Sequence, residues 1–295
     1  MQGILNVNKP EGMTSFSVVA LVKRLTSERR VGHAGTLDPF ATGVLPILLG
    51  QATRIAEYLM DLHKVYLAEA KLGKTTDTDD VEGKVIATKD FSGVTEGALR
   101  SALKDFTGEI MQVPPLYSAL KHKGKPLYEF ARSGVPVERK ARKVEIFRLD
   151  LISYEPPIVT VEVECSKGTY IRSLARDLGD VLGCGAYLRA LTRMRYGPFY
   201  IKDAASLAEL EEAIRQGKLG QLIHPMDSVL GNMPAVKLDS EQMEMAKHGQ
   251  SIALENVEAS VSDKRLRAYT TDGTFFAILH FDADEKQWRP EKVFG

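Results

Sequence analysis

Residues 159–165 read Val-Thr-Val-Glu-Val-Glu-Cys, a strict alternation of apolar and polar side chains. Successive residues of a strand face opposite ways, so this stretch demands a sheet with one face on a core and the other polar. Pro156-Pro157 ahead of it marks a hairpin turn, and the strand expected near 144–152 is its antiparallel partner. Directly after it, 170–182 carries the periodicity of an amphipathic helix. Strands and helices intermixed without regular βαβ repeats predict an α+β fold on a mainly antiparallel mixed sheet. Cys165 falls in the apolar set and is expected in the core. With Cys184 it makes only two cysteines, too few for a disulfide framework, and no Cys/His cluster has metal-ligand spacing.

The remaining elements follow from the same signals. A strand is expected at 3–7, a helix at 15–26 capped by Ser15, a buried strand at 44–49 and a helix at 52–60. A strand at 65–72 is expected to pair with 81–88, Thr95 to cap a helix reaching Phe106, and further helices to lie at 127–132 and 206–216. A strand is expected at 188–194. Gly231, Asn232 and Pro234 predict a boundary. Domain one is then 1–230, with a basic insert at about 115–143, and domain two is 231–295, small and β-rich. Asp272-Gly273 between two apolar runs signals a hairpin in it.

Lys plus Arg and Asp plus Glu both number 39, so the net charge is zero, but the charge is unevenly spread. Residues 115–150 hold nine basic against four acidic side chains, 165–200 hold six against two, and 203–260 reverse to four against ten. Binding a phosphate backbone needs a local positive surface rather than a positive total. No stretch approaches the roughly 18 to 20 apolar residues of a membrane span, and the start lacks the basic and apolar regions of a signal peptide. A cytoplasmic address is expected.

The segment 31–42 has two glycines, a proline and no periodicity, so an irregular loop is expected there. It presents His33 and Asp38. Pro39 biases Asp38 away from helical geometry, and the glycines let the backbone approach a ligand closely.

With its continuation Phe40-Ala41-Thr42-Gly43-Val44-Leu45-Pro46, the run Gly32-His33-Ala34-Gly35-Thr36-Leu37-Asp38-Pro39 resembles the catalytic motif of the TruB family of tRNA pseudouridine synthases. Further pieces fit in order: Lys9-Pro10 with Gly12, Thr14 and Ser15; Tyr66 with Leu72-Gly73 and Thr76-Asp77-Thr78; Pro114-Pro115 with Tyr117-Ser118-Ala119; and Ser166 through Arg172. The C-terminal region is similar to the PUA RNA-binding domain of such enzymes.

The resemblance implies a pseudouridine synthase fold and isomerisation of the T-loop uridine at tRNA position 55, in which the glycosidic bond moves from N1 to C5 of a flipped-out base. It implies Asp38 as the ionised catalytic carboxylate, either nucleophile on the nucleoside or base at the ribose, with Arg172 as the cation that keeps it charged. Tyr66 is implied as the stacking platform and as a handler of the proton lost from C5. His33 is implied to fill the space the nucleotide leaves, and Tyr170 and Leu191 to border the base. Lys9 is expected either under Tyr66 or solvated. Lys121, Lys123, Arg132 and Arg142, in the insert with Arg139, Lys140 and Lys143, are implied to grip the tRNA arm. No cofactor, no metal, no membrane and no obligatory protein partner are implied, and a monomer is expected. Two alternatives stay open: a tRNA-binding or tRNA-folding protein with incidental catalysis, and a guide-RNA-dependent synthase subunit.

Overall fold

The computed structural model describes residues 1–118, 120–122, 124–133, 135, 137–254 and 264–294. The chain forms two units, Gly3–Ile223 and His224–Gly295. The first is built on a sheet whose strands run, side by side, Gly3–Lys9, Thr42–Leu49, Ala186–Tyr196, Lys64–Leu72, Ile158–Cys165, Arg142–Glu155 and Gly108–Gln112. The expected alternation is realised in Ile158–Cys165, where Val159, Val161, Val163 and Cys165 are buried. The hairpin through Pro156 and Pro157 pairs it with Arg142–Glu155, and its other edge pairs with Lys64–Leu72 in the register Val163 to Tyr66 and Val161 to Ala68. Helices Glu96–Asp105 and Ile171–Val181 pack on this sheet. Leu99, Leu103, Ile171, Leu174 and Leu178 enter the core that the strands line. Thr95 caps the first of these helices, accepting from the Ala98 amide, as its position predicts.

The sheet is mostly antiparallel, and the exception positions the site. Thr42–Leu49 meets Ala186–Tyr196 in parallel, Thr192 opposite Thr42 and Arg193 opposite Gly43. Gly43 has φ +100°, and a Cβ there would stand 2.4 Å from the Arg193 carbonyl oxygen. Gly43 thereby admits a neighbouring strand, and Gly35, at φ +75°, lies where a Cβ would be 3.1 Å from the Tyr196 ring.

Four expectations are corrected. The segment 81–88 does not pair with the Lys64–Leu72 strand: Val85–Thr88 folds back on Lys74–Thr76 as a separate hairpin. Val31–His33, expected as loop, adds a short strand to Thr42–Leu49. Residues 50–55 form 3₁₀ turns before the helix Ala56–Met60. Thr14 rather than Ser15 caps Ser15–Thr26, accepting from the Ser17 amide.

In the second unit, strands Arg265–Tyr269, Phe275–Asp282 and Gln287–Val293 form an antiparallel meander, with Ala235–Lys237 pairing parallel at one edge. The hairpin at Asp272-Gly273 is present. Leu266, Ala268, Phe276, Leu279 and Trp288 make its core. A helix, Ser240–Lys247, capped by Asp239 and closed by Gln242, was not foreseen. Among the described residues no helix is long and apolar enough to cross a membrane.

Candidate active site

A cleft of about 440 Å³ opens in the first unit, lined by the 35–38 loop, Lys64, Tyr66, Tyr117, Ser118, the 166–172 turn, Leu191 and Arg193. The loop is held from behind. Ser15, 2% exposed, clasps Leu37 in both directions, accepting from its amide at 2.9 Å and donating to its carbonyl at 3.1 Å. Lys9, 0% exposed, gives its ammonium to the carbonyls of Pro10, Met13 and Pro39 at 2.9, 2.6 and 3.1 Å. Lys9 is therefore neither a solvated lysine nor a lining residue of the cleft. It ties the turn after the first strand to the residue following Asp38, and burial lowers its pKa to about 8.

Asp38 projects from this pinned loop and meets Arg172, whose Nε lies 3.1 Å from Oδ2 and whose Nη2 donates to Oδ1 at 3.3 Å. The turn 166–170 delivers Arg172. Thr169 donates to the Ser166 carbonyl, and Gln112 grips the Tyr170 backbone at both amide and carbonyl. The guanidinium is almost wholly buried and fully engaged. Nη1 also reaches Asp80 Oδ2 at 3.2 Å, and Nη2 donates to the Tyr117 carbonyl at 2.8 Å. Asp80, 3% exposed, is fixed in turn by the Thr78 hydroxyl and the Glu82 amide. One arginine thus bridges two carboxylates and the backbone where the basic insert begins.

Asp38 keeps 31% of its side chain open to the cleft, yet lies deep enough for burial to be the largest influence on it. Burial raises its carboxyl above the ordinary aspartate value; Arg172 and Lys9 oppose this and Asp80 adds to it. A reaction in this cleft that needed ionised Asp38 would carry an acid limb. The single-turnover rate is expected to fall as pH drops through a pKa above 3.8, and a limb centred at or below 3.8 would contradict this. The folded state holds the proton more tightly than the unfolded chain does. Asp38's contribution to stability therefore declines as pH rises across that window.

Tyr66, 7% exposed, stands on the neighbouring strand with its ring in the cleft wall, and Leu191, also 7% exposed, lines the same space. Tyr170 lines it too. These residues, expected from the resemblance, converge with Asp38 and Arg172 on one cavity. His33 sits on the short Val31–His33 strand and does not line it; its ring is partly buried, and burial with the nearby Arg193 lowers its pKa. Arg142 is exposed at the start of the Arg142–Glu155 strand, outside the cleft lining. Lys123 and the side chains of Lys121 and Arg132 lie outside the described residues.

Three residues of the arrangement escaped sequence reading. Asp80 looks like turn chemistry inside Thr76-Asp77-Thr78-Asp79-Asp80. Ser15 looks like a helix cap. Arg193 looks like one of several basic residues on a polar strand face, yet it is 1% exposed.

Residues 23–171 match the family described as TruB family pseudouridylate synthase (N terminal domain), and residues 172–231 match the tRNA pseudouridylate synthase B C-terminal domain. The chain is 46% identical to a Dehalococcoides mccartyi protein named tRNA pseudouridine synthase B, over 100% of this chain and 97% of the relative. It is 43% identical to the Haemophilus influenzae protein of the same name, over 95% and 90%. Among solved structures it superposes on a chain of a Cbf5-Nop10-Gar1 complex with a TM-score of 0.78 at 28% identity, covering 99% of this chain and 85% of that one.

Proposed function

Because the chain belongs to the TruB family of pseudouridylate synthases, we propose that it isomerises a uridine of tRNA to pseudouridine, at position 55 of the T loop. The observation that carries the reading is the Asp38–Arg172 pair at 3.1 Å, open to a cleft with a tyrosine in its wall. The cavity suits a nucleoside rather than a duplex, so the target base has to leave its stack at a cost of a few kcal/mol. Stacking on Tyr66 returns roughly 1 to 3 kcal/mol of it.

In this reading Arg172 stabilises the negative charge of Asp38, which attacks at the ribose carbon or removes a ribose proton. The bond from C1′ to N1 breaks with its electron pair leaving on the base. Leu191 and Tyr170 confine the freed uracil while it turns. C5 then bonds C1′, and the C5 proton is lost toward the Tyr66 hydroxyl. His33 lies off the cleft lining and has no step in this reading.

We assign 1–230 to catalysis and 231–295 to a PUA-like RNA-binding role, with the T arm gripped by the insert at 115–143. Arg142 and Lys140 are exposed there, and Arg139 donates to the Pro114 carbonyl at the insert's root at 3.0 Å. Each phosphate neutralised on duplex steepens the salt dependence of binding by about 0.9 logarithmic units. Affinity for tRNA is expected to fall steeply with salt, and Arg142→Ala to flatten the slope by about one unit. An unchanged slope would remove Arg142 from the phosphate contacts. A cytoplasmic monomer acting without a protein partner completes the proposal.

The direct test is purified chain with an unmodified tRNA transcript, followed by mapping of pseudouridine. Product at position 55 supports the reading. Binding without product supports a tRNA-folding protein, and product only with added guide RNA supports a ribonucleoprotein subunit.

A further inference from the structure

Arg193 is a buried cation that the mechanism above leaves unused. It lines the cleft and is 1% exposed, and among the described residues it makes no ion pair with a carboxylate. A charge in that position is costly unless hydrogen bonds and neighbouring groups compensate it. Two backbone carbonyls do so: Val44 accepts from Nε at 2.6 Å and Gly35 from Nη2 at 3.1 Å. The guanidinium also lies against the Tyr196 ring, 4.8 Å from its centroid, while Lys64 approaches the same ring at 4.5 Å. These contacts fix the fork in place.

What the fork faces is Tyr66. Arg193 and Tyr66 are directly opposed across two antiparallel strands, which puts both side chains on one face, and a register shift follows immediately after Arg193. Both side chains line the same cleft, and the positive charge of Arg193 acts on the Tyr66 hydroxyl.

We propose that Arg193 is a positioning residue for Tyr66, fixing the phenol oxygen in the cleft wall and favouring its phenolate, the form that can take the proton C5 must lose. This rests on the pseudouridine-forming reading of the cleft. The step balances. Tyr66 first gives its phenol proton to solvent. When C5 bonds C1′, the pair left on N1 moves into an N1=C6 double bond; the C5–H bond then breaks, its electron pair restores the C5=C6 double bond, and its proton goes to the phenolate oxygen of Tyr66, which ends as the phenol it began as. The N1=C6 pair returns to N1, which takes a proton from solvent. Arg193 faces Tyr66 from one strand and Cys165 from the other side, with Asp38 and the Tyr196 hydroxyl nearby. Burial raises the phenol above its ordinary value, Arg193 is the largest influence bringing it back, and Cys165 and Asp38 push the other way.

The experiment is a double-mutant cycle, read by single-turnover rates on transcript carrying uridine or 5-deuterouridine, with tRNA affinity measured in parallel. Arg193→Gln is expected to slow the reaction roughly 10- to 100-fold, no more than the low end of the roughly 10²- to 10⁴-fold that the proton-transfer group itself contributes. Its deuterium isotope effect should exceed that of wild type, and its affinity should be unchanged. Combined with Tyr66→Phe it should cost no more than Tyr66→Phe alone, because both changes disable one proton transfer. Costs that multiply, an isotope effect equal to that of wild type, or a near-normal rate in Tyr66→Phe would each overturn the proposal. If Arg193→Gln does not fold, Arg193→Lys keeps the charge without the fork and is read by the same isotope comparison. A wild-type chain that makes no pseudouridine removes both readings, whereas an active one with multiplying costs removes only the role of Arg193.

Discussion

Asp38→Asn is expected to bind tRNA with wild-type affinity and to turn it over at least about 10³-fold more slowly, which is roughly 4 kcal/mol of transition-state stabilisation at 1.36 kcal/mol per tenfold. The substitution keeps the side chain's shape and its place on the Ser15-pinned loop, so the cleft should survive it. It removes the one carboxylate that both meets the Arg172 fork and remains partly open to the cavity. Asp80 cannot substitute, because it is 3% exposed and tied to Thr78 and Glu82. Rapid-quench assays of pseudouridine beside filter-binding titrations separate the two effects. A variant retaining a tenth of the rate would end the assignment of Asp38.

Arg172→Met is expected to fail on both stability and activity. Removing one partner of a buried ion pair leaves an uncompensated charge and costs about 3 to 5 kcal/mol. Here two carboxylates lose their partner at once. Asp80 is the more buried and should account for most of the loss in stability, while Asp38 should account for the loss in rate. Combining Arg172→Met with Asp80→Asn is therefore expected to restore much of the denaturation midpoint without restoring turnover. If urea unfolding showed Arg172→Met within about 1 kcal/mol of wild type, as for an exposed ion pair, the bridge would not be carrying the charge balance of the cleft.

The local pattern of the sequence disclosed most of the sheet because it is local physics. The alternation in 158–165, the Pro156-Pro157 turn, the Thr95 cap and the 171–181 helix are each readable within a few residues. The pairing of 81–88 was misread for the same reason that it is a hairpin. Asp79 adopts φ 63° and Gly83 closes on Asp80, so the chain reverses within a few residues and Val85–Thr88 meets Lys74–Thr76. Asp38 drew its meaning from the long motif around it and not from any spacing to Arg172. Asp80 and Arg193 were illegible because their burial is decided by distant segments: Arg172 arrives 92 residues after Asp80, and the carbonyl of Gly35 lies 158 residues before Arg193. Nothing in a run such as Leu-Thr-Arg-Met-Arg distinguishes the buried arginine from its half-exposed neighbour.

The parallel seam at Gly43 and Arg193 has a kinetic corollary. It closes a loop of about 150 residues, and loop-closure entropy makes such contacts among the last to be rewarded as a chain folds. The aspartate, tyrosine and two arginines of the cleft are drawn from segments that only this late closure and its sheet partners bring together. A partly folded chain therefore exposes no half-built centre able to act on stray nucleosides. Recovery of catalysis during refolding should lag behind recovery of helical circular dichroism, because the helices are short-range structures and the centre is not.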